Sequence, residues 1–99
     1  MPRAVIRKVD DNHAEIIAAF RQLGWSARST ATIGKGFPDA AVGKFGHTYL
    51  IEIKDSSKPP SRRKLTEDEE RFWREWRGSV IMIESVADVI EFNRKRSAP

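Results

Sequence analysis

Residues 36–54 read Gly36-Phe37-Pro38-Asp39-Ala40-Ala41-Val42-Gly43-Lys44-Phe45-Gly46-His47-Thr48-Tyr49-Leu50-Ile51-Glu52-Ile53-Lys54, and the fold turns on how this stretch is parsed. His47 to Lys54 is rich in β-branched and aromatic residues, the composition of a strand. Ala40-Ala41-Val42 is a second, short apolar run, and Gly43-Lys44-Phe45-Gly46 between them has the glycines of a turn. Two strands joined by so short a turn pair as an antiparallel hairpin. The residues furthest from the turn on its two arms then meet, which sets Asp39 near Glu52. Period-two alternation points Tyr49, Ile51 and Ile53 to one side of the second strand and Leu50, Glu52 and Lys54 to the other.

Upstream, Asn12-His13-Ala14-Glu15 opens a helix, with Asn12 as its cap and Glu15 as a capping-box partner. Ile16, Phe20 and Leu23 follow at helical spacing, and Gly24 ends the pattern. Trp25 to Ile33 reads as an extended segment, closed by the Gly34-Lys35-Gly36 turn and by Pro38, which forbids a helix there. Downstream, Asp55 to Lys64 is a polar loop containing Pro59-Pro60. Thr66 to Glu69 forms a second capping box, opening a helix that carries Phe72, Trp73 and Trp76 and stops at Gly78. Ser79 to Glu84 is an apolar strand. Ser85 to Asp88 starts a last helix through Val89, Ile90 and Phe92, and Arg94 to Pro99 is expected to fray. The order α-β-β-β-α-β-α predicts an α/β domain, a small mixed sheet flanked by helices.

The whole chain, 99 residues, has the length of a single domain spanning 1–99. It contains no cysteine, which excludes a disulfide framework, a thiolate metal site and a cysteine nucleophile. Its apolar runs, such as Ile16 to Phe20, fall far short of the roughly twenty residues of a membrane span, and the N-terminal segment has no apolar signal core, so a soluble, cytoplasmic protein is expected. A net charge of +4 is compatible with a polyanionic partner.

Glu52 and Lys54 alone would read as an exposed ion pair of little consequence, and Asp39 alone as a turn residue after proline. Together they describe two carboxylates converging with one lysine to compensate. Such a pair repels unless a cation lies between its members, and a hard divalent ion, Mg²⁺ or Mn²⁺, suits the oxygen ligands. His13 and His47 have no spacing that suggests a metal site and read as structural.

Gly36-Phe37-Pro38-Asp39 followed by Glu52-Ile53-Lys54 resembles the PD-(D/E)XK signature of the restriction-endonuclease-like nuclease superfamily. More narrowly, the chain resembles virus-type replication-repair nuclease (VRR-NUC) domains, whose stand-alone members are small phage proteins similar to archaeal Holliday-junction resolvases. The resemblance covers nearly the whole chain, from the acidic Glu15 on the first helix to the Leu65-Thr66 helix start. It implies an αβββαβ core and a metal-dependent, structure-specific endodeoxyribonuclease acting on branched DNA. Asp39 and Glu52 would be direct metal ligands with the Ile53 carbonyl as a third; Glu15 would act through water, and Lys54 would position or activate the attacking water. Beside two carboxylates, Lys54 is expected to stay protonated and to stabilise developing negative charge. Many relatives carry Gln where this chain has Glu69, which would support the lysine and also has a complete explanation as the partner of Thr66.

Lys58, Arg62, Arg63 and Lys64 read either as a solvated loop or as a phosphate-tracking DNA surface. Phe72, Trp73 and Trp76 read as core or subunit interface, with stacking on unpaired bases as the other use. A junction has two equivalent strands to cut, so a homodimer is expected, through this aromatic helix or through the Ser79–Glu84 strand and its helix. The alternatives are a nickase or non-specific nuclease within a phage replication or repair complex, and a non-catalytic nucleic-acid-binding module.

Overall fold

The computed structural model describes residues 11–96. Its elements are α1 (His13–Gln22), β1 (Ser26–Ser29), β2 (Ala40–Lys44), β3 (His47–Ile53), a short 3-10 turn (Pro60–Arg62), α2 (Glu67–Glu75), β4 (Val80–Ile83) and α3 (Val86–Lys95). The sheet order is β1-β2-β3-β4, antiparallel except for the parallel pair β3–β4. A compact α/β domain with a four-stranded mixed sheet and three α-helices results. None of the described helices is long and apolar enough to cross a membrane.

The hairpin is tighter than the glycines suggest. Lys44 pairs with His47, leaving two turn residues, Phe45 and Gly46, with φ of 56° and 80°. Two successive positive φ values match the right-handed twist of the flanking strands. Lys44 stabilises this end, its Nζ donating to the Leu23 carbonyl at 2.7 Å beyond α1.

Burial along β3 rises toward its C-terminal end, where Ile51, Glu52 and Ile53 are all buried. Ile51 and Ile53 are buried on the face covered by α1 and α3, among Ile16, Phe20, Val42, Ile83 and Val89. Four rings form the centre of that core: Phe20, Trp25, Tyr49 and Phe92 meet at 5.2–6.1 Å, mostly edge to face. Edge-to-face contact places positive ring edges on negative faces. The indole N–H of Trp25 donates to Asn93 Oδ1 at 3.1 Å, so the buried donor is satisfied.

Three local expectations are corrected. Asn12 does not cap α1 through its side chain. Its amide instead donates to the carbonyls of Lys54 (3.0 Å) and Glu84 (3.2 Å), where β3 and β4 end side by side and their carbonyls need a donor. Glu15 therefore has no capping partner and is exposed on the first turn. The segment Trp25–Ile33 is β-paired only over Ser26–Ser29, because the chain turns at Thr30–Ile33, where the Ile33 N–H donates to the Thr30 carbonyl at 3.0 Å. Arg94 and Lys95 do not fray; they complete the last turn of α3, where Arg94 pairs with Glu91 and the Arg96 guanidinium lies 4.0 Å from the Phe92 ring centre. Residues 97–99 of the expected tail lie outside the described residues.

Candidate active site opposite the α1–α3 core

The register that pairs Ala40 with Ile51 places Asp39 opposite Glu52 at the end of the hairpin. Two backbone contacts fix Asp39: its N–H donates to the Ile51 carbonyl, and its Oδ2 accepts from the Ile53 N–H, both at 2.8 Å. In extended backbone a residue's N–H and C=O leave the strand on the same side, so the Ile53 carbonyl also lies on the side of β3 facing Asp39. Glu52 points away from the α1–α3 core and is 1% exposed. One of its oxygens, Oε1, is buried without a hydrogen-bond partner.

Burial pushes the Glu52 carboxyl up to about 10, helped by a hydrogen bond to Asp39 and by the charges of Asp39 and Glu69, while Lys54 pulls the other way. In the metal-free protein Glu52 is therefore a neutral acid at physiological pH, lodged between two other carboxyls.

Lys54 follows directly on β3 and turns toward α2, its Nζ 2.8 Å from Glu69 Oε1 with both side chains 9% exposed. The same Glu69 oxygen accepts from the Thr66 N–H at 2.8 Å, and the Thr66 hydroxyl accepts from the Glu69 N–H at 3.2 Å. The capping contact and the Lys54 contact thus share one Glu69 oxygen. Burial opposes ionisation of Glu69, but the Lys54 and Thr66 hydrogen bonds and the Lys54 charge outweigh it and hold its pKa below the usual carboxylate value.

A glycine and an aromatic cluster bring α2 to this position. Gly36 has φ 80°, and a Cβ there would overlap the Asp68 carbonyl, so the turn before Pro38-Asp39 packs directly on the backbone of the first turn of α2. The neighbouring Phe37 ring meets Phe72 at 5.2 Å and Trp76 at 6.3 Å. Glu69 is the only buried residue of α2, so the helix is held by its cap, this ring cluster and the Lys54 contact more than by a hydrophobic stripe.

The remaining candidates separate from this cluster. Glu15 lines a pocket with Asp11, Asp55 and Glu84 near the start of α1, and its charge is not among those acting on Glu52. Lys58 pairs with Asp11 at 3.0 Å and Arg63 with Glu84 at 3.3 Å, whereas Arg62 and Lys64 are exposed. His13 contacts the Ser29 hydroxyl at 3.1 Å. Sequence reasoning missed two contributors: Asn12, whose role is visible only once β3 and β4 are adjacent, and Phe37, whose partners Phe72 and Trp76 were flagged by their i, i+4 spacing.

Among the described residues no group of three Asp, Glu or His side chains is arranged to hold a metal ion. The cluster itself supplies two carboxyls in contact, an unpartnered oxygen on one of them, a third carboxylate turned to a lysine, and a backbone carbonyl on the same side. Hard oxygen donors of this kind suit Mg²⁺ or Mn²⁺, with water completing the coordination. Comparison with protein-family models, with curated proteins and with solved structures gives no match to this chain.

Proposed function

We propose that the chain is a metal-dependent endonuclease of the PD-(D/E)XK type, with a VRR-NUC-like domain on the restriction-endonuclease-like fold, that hydrolyses phosphodiesters in branched DNA as a homodimer. The observation that carries this reading is the buried Glu52 carboxyl, pressed against Asp39 and near Glu69 with one oxygen unpartnered. Burying an acid against two others costs stability, and a bound cation offsets that cost.

Asp39, Glu52 and the Ile53 carbonyl would hold Mg²⁺ or Mn²⁺, which supplies Lewis-acid polarisation of a phosphate oxygen and an acidified water. The chain's own residues do the positioning. Asp39 is immobilised by the Ile53 N–H. Lys54, fixed at 2.8 Å from Glu69, presents a positive charge where negative charge develops on the phosphate. Glu15, which lines the pocket with Asp55 and Glu84 at the start of α1 and does not touch the carboxyl cluster, would reach the metal only through intervening water.

The test is incubation with Mg²⁺ and a panel of labelled DNAs: duplex, flap, splayed arm and four-way junction. Cleavage of the branched members, lost in EDTA, is expected. Cleavage spread evenly over all members would favour a non-specific nuclease. DNA binding without any cleavage would leave a binding module. Two copies are needed for paired cuts in a junction, and light scattering should report about twice the mass of one chain.

A further inference from the structure

The outer side of β4 is an edge of the sheet, and it is unguarded. The Leu50 N–H donates to the Ser79 carbonyl and the Lys54 N–H to the Ile83 carbonyl, so residues 79, 81 and 83 turn their backbone groups toward β3. Val80 and Met82 turn theirs outward, and among the described residues nothing pairs with them. Proteins commonly blunt such an edge with a charge, a proline or a bulge. Val80-Ile81-Met82-Ile83 has none of these. The opposite edge is treated differently: beside β1 the Arg21 guanidinium donates twice to the Ala27 carbonyl, at 2.7 and 3.2 Å, and occupies an outward acceptor there.

We infer that β4 is the contact through which two copies of this chain join, antiparallel about a two-fold axis at Ile81, so that their sheets become one. The inference rests on the homodimer of the proposed function and deepens it by naming the surface. Backbone geometry sets the register. With the axis at Ile81, Val80 of each copy faces Met82 of the other, and every outward N–H and C=O of both residues meets its counterpart. An axis at Met82 would instead oppose Val80 to Glu84, whose carbonyl already accepts from the Ser56 N–H and the Asn12 amide. Charge selects a second copy over a foreign strand. Alongside β4, α3 leaves a groove of about 290 Å³ lined by Ile81 and Phe92. Its rim is acidic at one end, where Asp88 accepts from the Glu84 N–H just past β4, and basic at the other, with Lys95 and Arg96. Glu91, between them, is paired with Arg94. The two-fold reverses one α3 against the other, so the acidic end of each groove meets the basic end of its partner's. Glu52 lies level with Met82. Strand spacings of about 4.8 Å across and about 3.3 Å along then set the two Glu52 positions roughly 16 Å apart on one face of the joined sheet, where both sites meet a single DNA.

The chain has no cysteine, so a single introduced one reports the register. Ile81→Cys sets two thiols across the axis at a Cα separation of about 4.5 Å, within disulfide reach. Oxidised glutathione should convert it to a covalent dimer on a denaturing gel, whereas Ser26→Cys, on the β1 edge, should remain a single chain. Met82→Pro removes an outward N–H that β3 does not use. Sedimentation equilibrium should show its self-association weakened by about tenfold or more. Lys95→Glu, which sets an acid against the partner's acidic end, should also weaken association, and less so at high salt. Circular dichroism of each variant should match the parent; if Met82→Pro unfolds, the other variants decide. A parent that stays monomeric at every concentration overturns the contact. So does an Ile81→Cys chain that fails to cross-link, cross-linking through Ser26→Cys in its place, or unchanged association in Lys95→Glu. The nuclease reading is judged separately by Mg²⁺-dependent cleavage, which can succeed in a protein that dimerises elsewhere or not at all.

Discussion

Replacing Glu52 with glutamine should remove most of a pH dependence that the metal-free protein otherwise shows. The Glu52 pKa rises from 4.5 in the unfolded chain to about 10 in the folded one, chiefly through burial and then through Asp39. An acid with a raised folded-state pKa is protonated in both states below about 4.5; above that, only the unfolded chain releases the proton freely. Stability is thus fully present at low pH and lost progressively as pH rises toward 10. Each pH unit inside that window costs at most about 1.4 kcal/mol, so three units, from about pH 5.5 to 8.5, cost up to about 4 kcal/mol. That is a large part of the stability of a small domain. The lowered carboxyls, Glu69, Asp55 and Glu91, act in the opposite sense and only at or below their ordinary values, outside the window. Urea unfolding in EDTA at several pH values measures the effect. The parent should lose stability steadily with pH, whereas Glu52→Gln, whose amide can still donate to Asp39, should be nearly flat and the more stable of the two at pH 8.5. Saturating Mg²⁺ should restore the parent at pH 8.5 by linkage and leave Glu52→Gln unmoved. Parallel loss in both proteins would refute the assignment of a buried neutral Glu52.

Asp39→Asn, Glu52→Gln and Lys54→Ala should each abolish cleavage with DNA affinity largely kept, while Glu15→Gln should be milder; full activity in any two of the first three, in a gel assay with Mg²⁺, removes the nuclease assignment. Neutralising exposed Arg62 and Lys64 together should lower the salt slope of DNA binding by about two units; Arg63→Gln should change it little, because Arg63 is already paired with Glu84. Gly36→Ala should destabilise the protein by about 2 kcal/mol or more, through both the positive φ and the overlap with the Asp68 carbonyl; a thermal melt matching the parent would show that α2 yields without cost.

The hairpin, the order of elements and the inward set Ile51 and Ile53 were legible because short-range signals decide them: turn glycines, alternation and capping residues. The proximity of Asp39 to Glu52 was legible for the same reason, since one tight turn fixes both. What the sequence concealed depends on contacts between distant segments. Asn12 looks like a helix cap, and only the adjacency of the β3 and β4 ends diverts its amide. Glu15 shares a helix with core residues, and nothing local says that it opens onto Asp55 and Glu84 instead of the carboxyl pair. The charge run from Lys58 to Lys64 reads as uniform, yet Asp11 and Glu84 divide it into paired and free members.

Because the two-residue turn at Phe45-Gly46 brings Asp39 to Glu52 through local chain closure, the carboxyl pair also has a place in time. Hairpins close in microseconds, whereas the parallel pairing of β3 with β4 must wait for the longer crossover through α2. Local closure of this kind predicts that the two acids meet before Glu69 and α2 arrive to position Lys54. With both acids still solvated and ionised, their repulsion would then slow folding at neutral pH, and a divalent cation that relieves it should speed folding. In a chevron experiment Mg²⁺ should raise the refolding rate of the parent and leave that of Asp39→Asn unchanged. An effect confined to the unfolding limb would place closure of the carboxyl pair after the barrier.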